Sequence, residues 1–273
     1  MDAQTLKKCE EAAVELAKHS GCMMLTASGK CKSIETKISP TDLVTETDKA
    51  VEKYVFEELR KRFPGHKFIG EETTTGKVPW TDEPTWIIDP IDGTMNFVHT
   101  FPFACISMAL AVKKEVVFGL IYCPFMDKLF LARRGFGAYC NGAPLRASKC
   151  DSLDKALMIT ELGGNRDEEA KKTIEANMSH IMWKVRGFRA LGSAALNACM
   201  VASGSVDCYF EYGLHCWDMA AGILIIKEAG GVVMDPTGAP FNLMGRRILA
   251  AGTEKLAKQL AGEIKHHLHL EHD

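Results

Sequence analysis

The sequence predicts a mixed α/β fold of sheets covered by helices, on three observations. Residues 3–20 and 45–63 carry apolar side chains at helical spacing, so each has one face to bury. Residues 67–140 hold short apolar runs rich in β-branched residues and divided by turn signals, which reads as a strand-rich meander. From residue 156 onward, strand-like runs alternate with helix-like ones, the rhythm of a mixed or parallel sheet with helices packed on it.

Taken in order, Leu6, Cys9, Ala13 and Leu16 form the apolar stripe of the first helix, with Lys and Glu opposite. A Gly-, Ser- and Lys-rich stretch running to Lys37 reads as loop or irregular strand, and Pro40-Thr41-Asp42 as a turn. Thr45, three residues ahead of Asp48, caps a helix whose buried face is Val51, Val55 and Leu59 and which stops at Phe63-Pro64-Gly65. Lys67-Phe68-Ile69-Gly70 is a strand ending in Glu71-Glu72, and residues 73–84 form a polar loop. Trp86-Ile87-Ile88 is a buried strand that Pro90, having no amide to donate, is expected to end. Asp89 and Asp92 then flank a tight turn, and Gly93-Thr94 open a short helix.

Residues 104–112 and 116–122 make a hairpin around Lys113-Lys114-Glu115. Strands at 128–132 and 137–140 follow, with turns at Arg134-Gly135 and Asn141-Gly142. In the second half, strands are predicted at 156–160, 185–190, 206–212, 232–234 and 248–250. Helices are predicted at 166–180, 193–202, 217–228 and 253–267, with Gly230-Gly231 stopping the third. No repeat or low-complexity linker interrupts the chain. The halves 1–150 and 151–273, with a seam at Cys150-Asp151, therefore read as one packed unit.

Composition narrows the partners. At 47% hydrophobic and 25% charged residues over 273 positions, this is an ordinary globular chain. A formal charge of −2 leaves no basic footprint for nucleic acid or an anionic membrane. No apolar run approaches the ~20 residues that span a bilayer, and no secretory signal is visible after Met1. The 10 cysteines include no C-x-x-C pair, so they read as free thiols of a cytoplasmic protein.

Four places put carboxylates at strand ends or helix starts: Glu71-Glu72, Asp89 with Asp92, Glu211 after Tyr209-Phe210, and Asp218 at the head of Trp217-Asp218-Met219. Ligands collect at such strand ends in α/β sheets. Like charges gathered there repel unless a cation lies between them. Mg2+ fits, because it takes one or two carboxylates and keeps waters and phosphate oxygens. Free amides at a helix start suit a phosphate. Metal-assisted hydrolysis of a phosphate ester is the chemistry this pattern predicts. Singly, each signal has a plainer reading: a capped turn for Asp89–Asp92, a helix-start charge for Asp218, a solvated strand end for Glu211, a first-turn residue for Thr94.

Together the motifs resemble the inositol monophosphatase family of magnesium-dependent, lithium-sensitive phosphatases. Trp86-Ile87-Ile88-Asp89-Pro90-Ile91-Asp92-Gly93-Thr94 is similar to its first signature, and Trp217-Asp218-Met219-Ala220-Ala221-Gly222 through Glu228-Ala229-Gly230-Gly231 to its second. Gly70-Glu71-Glu72 matches a third element, and the likeness runs from residues 40–48 to the C-terminal helix. The resemblance implies a layered αβαβα sandwich of the inositol monophosphatase and fructose-1,6-bisphosphatase type, a homodimer, two to three Mg2+ per site and inhibition by Li+.

It also implies roles. Glu71, Asp89 and the carbonyl of Ile91 would hold one Mg2+, Asp89, Asp92 and Asp218 a second, and Glu71 with waters a third. Glu71 and Thr94, with Asp48 behind Thr94, would orient the attacking water, and the amides of Gly93 and Thr94 the phosphate. Asp92, the backbone of Ala194 and Glu211 would contact inositol hydroxyls, with Asp218 near the leaving oxygen and Gly192 and Ser193 as further candidates. Lys37 matches a lysine near the first metal. Met95 departs from a position that often holds Thr. Residues 73–84 and 161–168 are least constrained by the likeness, so sugar phosphates and 3′-phosphoadenosine nucleotides stand as alternative substrates and a non-catalytic inositol- or metal-binding scaffold as an alternative of another class. The His-rich end (His266, His267, His269, His272) is expected to be a solvated tail.

Overall fold

A computed structural model describes residues 1–29, 34–36, 43–78, 80–268 and 270–273. Lys37, the Pro40-Thr41-Asp42 turn signal and His269 lie outside the described residues. The first half runs α1 (Ala3–Ser28), β1 (Ile34–Thr36), β2 (Leu43–Thr45), α2 (Glu46–Arg62), β3 (Lys67–Gly70), β4 (Thr85–Asp92), α3 (Thr94–Val98), β5 (Cys105–Val112), β6 (Glu115–Cys123), β7 (Lys128–Arg133), β8 (Ala138–Cys140) and β9 (Ala143–Pro144). The second runs β10 (Leu157–Thr160), α4 (Glu168–Ile181), β11 (Gly187–Arg189), α5 (Ala194–Ala202), β12 (Cys208–Tyr212), α6 (Cys216–Glu228), β13 (Val232–Met234), β14 (Arg247–Ala251) and α7 (Glu254–Glu263).

Strands β3 to β9 pair in sequence order as a seven-stranded sheet, antiparallel except between β3 and β4. The second sheet has the order β11-β10-β12-β14-β13, and only β11, β10 and β12 are parallel. Alternation along the strands builds the layers, because successive side chains leave opposite faces. Trp86 and Ile88 of β4 meet Leu16, Val55 and Leu59 of α1 and α2, whereas Ile87 between them faces the core that holds α5 and α6. On β12, Tyr209 enters that central core, while Cys208 and Phe210 turn outward to Ala170 of α4 and Leu256 and Leu260 of α7. The result is α1/α2, sheet, α5/α6, sheet, α4/α7: the αβαβα order expected from the resemblance.

Three expectations change. Helix α1 runs eight residues beyond residue 20, through Ser28, despite Gly21. That glycine is a packing device: a Cβ there would lie 2.4 Å from the Tyr122 ring. Pro90 does not end β4, which continues to Asp92, because it sits where the ladder with β5 is broken and no amide is needed. The C-terminal segment is no solvated tail. Helix α7 ends at Glu263, and the residues after it dock, with Ile264 and Leu268 buried and Leu270 packed against the outer core.

The nine cysteines among the described residues are free thiols, and six are buried. No helix among the described residues is long and apolar enough to cross a membrane.

Candidate active site

The end of β4 is shaped by one extra residue. Asp89 pairs with Ser107 of β5 and Asp92 with Cys105, so three steps on β4 oppose two on its partner. With strict alternation, residues three apart would face opposite sides; the bulge turns Asp92 back to the side of Asp89. The expected tight turn is therefore a bulged strand end. Gly93 follows with φ 89°, and a Cβ on it would lie 2.9 Å from the Phe103 carbonyl. Only glycine meets both demands.

Asp218 arrives from the far half of the chain as the third residue of α6, where its carboxylate accepts from the His215 amide at 2.8 Å. One ligand atom from each of Asp89, Asp92 and Asp218 lies within 4.8 Å of the others. Glu71, just past β3, hydrogen-bonds Asp89, and its amide extends the ladder to the Ile88 carbonyl at 3.3 Å. Glu52 of α2 holds the next turn residue by accepting from the Glu72 amide at 2.9 Å.

Asp92 also closes the head of α5. One oxygen accepts from the Ala195 amide at 2.8 Å and from the Ser193 hydroxyl, and the Ala194 amide faces it too. The Cys105 thiol lies 3.8 Å from the same oxygen. Thr94 stands between two acceptors, Asp48 at 3.1 Å and the Ile91 carbonyl at 3.0 Å. Asp48 is fully buried and completes a capping box with Thr45 at the start of α2. The Asp48 carboxyl thus joins the start of α2 to the Thr94 hydroxyl. Met95, beside Thr94 on α3, is half-buried.

The electrostatics call for a cation. Burial raises Asp92 to about 6 and Asp218 to about 7, and lifts Asp89 well above the usual carboxylate range. For Asp89 and Asp218, the next causes are neighbouring carboxylates, Glu71 and Asp92 foremost. Burial also raises Asp48 to about 6, against the bonds from Thr45. A set of hard oxygen donors that repel one another at this range suits a divalent ion, whose charge offsets that repulsion. The cluster is a divalent-metal site by the chemistry of its donors.

Glu211, on β12, turns to the same central layer. Its carboxyl accepts from the Tyr209 hydroxyl, and burial, followed by the charge of Glu161, raises its pKa well above the ordinary value. Asp92 and Asp218 contribute to that rise, which puts Glu211 beside the cluster. Glu161 itself was not singled out in the sequence. It accepts from the Leu191 amide at 2.7 Å, the Gly192 amide at 2.9 Å and Asn197 at 2.9 Å. From the other side, Asn96 donates to the Phe103 carbonyl at 2.8 Å and the Leu191 carbonyl at 2.7 Å. Glu161 thereby fixes the loop that delivers Ser193 to Asp92. The signal was available: Glu161 follows the apolar strand β10, the same strand-end pattern that marked the other carboxylates.

Comparison with known proteins agrees with this geometry. The model of the inositol monophosphatase family matches residues 5–269. The chain is 45% identical to inositol monophosphatase 1 of Mus musculus over 266 residues, covering 96% of each. It is 48% identical to inositol monophosphatase 2 of Rattus norvegicus over 261 residues, covering 94% of this chain and 90% of that one. The crystal structure of extragenic suppressor protein suhB from Bartonella henselae superposes with a TM-score of 0.87 at 33% identity, over 94% of this chain and 98% of that chain. Likeness of this extent in sequence and fold, around a carboxylate cluster built for a divalent ion, leaves one conclusion: the chain belongs to the inositol monophosphatase family, within the magnesium-dependent, lithium-sensitive phosphatases, and is an enzyme that hydrolyses phosphate monoesters.

Proposed function

We propose that the chain hydrolyses myo-inositol monophosphates to inositol and phosphate, with Mg2+ as its ion and Li+ as an inhibitor. The observation that carries the reading is the company of the metal cluster: the Thr94 hydroxyl held by buried Asp48 on one side, buried Glu211 on the other. Relatives at 45–48% identity named inositol monophosphatases supply the alcohol.

Glu71, Asp89 and the Ile91 carbonyl would hold one ion, Asp89, Asp92 and Asp218 a second, and Glu71 with waters a third. Bound there, the ions supply Lewis acidity that makes a water nucleophilic near neutral pH and offsets charge on the leaving oxygen. The chain's own groups do the remaining work. Thr94 has one hydroxyl proton and two acceptors for it, so donating to either turns its lone pairs toward a water, which Glu71 orients with it. The amides of Gly93 and Thr94 bind the phosphate. Glu211, as a carboxylate on β12, suits hydrogen bonds donated by alcohol groups. Asp92 and the Ala194 backbone complete the alcohol side, Gly192 and Ser193 shape it through Glu161, and Asp218 lies beside the leaving oxygen. Glu161 and Glu211 together disfavour a second phosphate, which argues against bisphosphate substrates. The two halves acting as one unit, a homodimeric state and a cytoplasmic setting belong to the same proposal and rest on the family relationship.

Phosphate release from inositol phosphates, sugar phosphates and 3′-phosphonucleotides, with and without chelator, tests the reading. Turnover of inositol 1-phosphate that chelator abolishes is the expected result. Chelator-resistant turnover overturns the metal mechanism, and faster hydrolysis of a bisphosphate or a 3′-phosphonucleotide overturns the substrate. Mg2+ binding without turnover of any ester would mark a non-catalytic scaffold.

A further inference from the structure

The described residues after α7 are tied down at several points. Asn177 of α4 donates to the His266 carbonyl at 2.7 Å and accepts from the Lys265 and His266 amides, each at 3.1 Å. The Tyr212 hydroxyl meets His267 Nδ1 at 3.0 Å, and Arg247 donates to the Leu268 carbonyl at 3.1 Å. The segment then reaches Asp273, whose amide donates to the Met244 carbonyl at 3.1 Å and whose side chain is only 3% exposed.

Everything that this side chain meets belongs to the start of α6 or supports it. One carboxylate oxygen accepts from the Cys216 amide at 2.7 Å, and the other lies 2.6 Å from His215 Nδ1, with Arg246 Nε at 3.8 Å. Cys216 is the first residue of α6 and His215 its N-cap. The His215 ring stacks on Trp217 at 4.6 Å and 11°, and its Nε2 lies 3.0 Å from Arg246. Its backbone amide donates to Asp218, a member of the metal cluster.

We propose that Asp273 is a positioning residue for the metal ligand Asp218. A helix start leaves its first amides without partners in the helix, and a carboxylate there gains both hydrogen bonds and the favourable end of the helix dipole. Asp273 takes one such amide and clamps the ring of the N-cap. The N-cap, so held, directs its own amide at Asp218, and Trp217 and Arg246 stop the imidazole from turning. Bonds to an ionised carboxylate are the strong ones, so losing them loosens the first turn of α6 in particular. Asp273 adds no ligand to the cluster, but the direction of Asp218 depends on its hold on Cys216 and His215.

This inference rests on the reading of Asp218 as a metal ligand, and the experiment separates the two. In the full chain, Asp273→Asn, Asp273→Ala and Asp273→Glu are compared with the unaltered protein. The measurements are the Mg2+ concentration for half-maximal phosphate release, KM, calorimetric Mg2+ binding and amide hydrogen exchange over residues 215–219. Supporting residues behind a ligand are worth about 10- to 100-fold in metal affinity or activity. Asp273→Ala is expected to raise the Mg2+ requirement about 10-fold, by the same principle, with little change in KM and with faster exchange at Cys216–Asp218. Asp273→Glu should recover part of the loss, and Asp273→Asn, isosteric and able to accept from Cys216, keeps a folded protein in hand if the alanine variant unfolds. A lower Tm with unchanged Mg2+ affinity and unchanged exchange in this turn would overturn the proposal and leave Asp273 a structural strap. Absence of turnover in the unaltered protein would instead overturn the activity, and calorimetry and exchange would still decide the role of Asp273.

Discussion

The two sources of the metal cluster are held in different ways. The β4–α3 segment, which brings Asp89, Asp92 and Thr94, is built into the interior: β4 is buried along its whole length, and its carboxylates bond to neighbouring amides and to the head of α5. The first turn of α6, which brings Asp218, is buried in the central core as well, but takes part of its hold from Asp273. Ser107 of β5 donates to the Trp217 carbonyl at 3.3 Å on the sheet side, and Asp273 grips Cys216 and His215 on the other. One half of the site therefore rests on the sheet it grows from. The other depends in part on contacts made late in the chain, and the two should answer differently to substitution.

The largest effect is expected at the β4 half. Asp92→Asn keeps an oxygen for Ser193 and Ala195 but removes the charge, so Tm should hold while activity falls by more than the roughly 100-fold that bounds supporting residues. Retained activity with a normal Mg2+ requirement would break the comparison by showing that this carboxylate only caps α5. Next comes Asp48→Asn, which should lower kcat about 10- to 100-fold with KM nearly unchanged. Thr45→Ala, which removes the capping hydroxyl but leaves Asp48 on Thr94, should cost only about 1 kcal/mol of stability. Equal losses of activity in the two variants would reduce Asp48 to its capping role.

The remaining effect is a pH dependence shared by both halves. Asp48 and Asp92 are raised to about 6 and Asp218 to about 7, each above its ordinary value of 3.8. Groups raised in the folded state give stability that is complete when they are protonated, below about 4, and is lost as pH rises through 6–7. Metal-free protein should therefore melt lower at pH 8 than at pH 5, at about 2–4 °C for each kcal/mol in a chain approaching this size. Mg2+ should raise Tm more at pH 8, because binding requires the ionised carboxylates. Scans in a metal-free buffer check this, and a flatter profile in Asp218→Asn would assign part of the slope to the α6 half. A Tm independent of pH between 5 and 8 would show that the repulsion is already relieved without metal.

Much of the site was legible because its signals are local. A strand end or helix start with acidic residues can be read from one stretch, and Glu71, Asp89, Asp92, Glu211 and Asp218 all carry that signal. Locally, Thr94 and Asp48 read only as two helix starts; their pairing across 46 residues is implied by the family resemblance. Glu161 carries the same strand-end signal, but its partner Leu191 lies 30 residues away, and Asp273 meets a partner 58 residues away with no pattern linking them. The bulge at Pro90 was misread as a strand end for a related reason. Proline excludes a ladder bond at its own position, but whether the strand resumes depends on the register with β5.

The sequence by itself determined the elements and their buried faces, since apolar periodicity and capping residues act within a few positions of one another. It also determined the inventory of carboxylates and the order in which they occur. Only the tertiary structure decided that α6 would bring Asp218 to within reach of Asp89 and Asp92, and that Asp273 would lie on the head of that helix. Those outcomes depend on which faces bury against which and on the register of one bulged strand, and both are set by packing the whole chain at once.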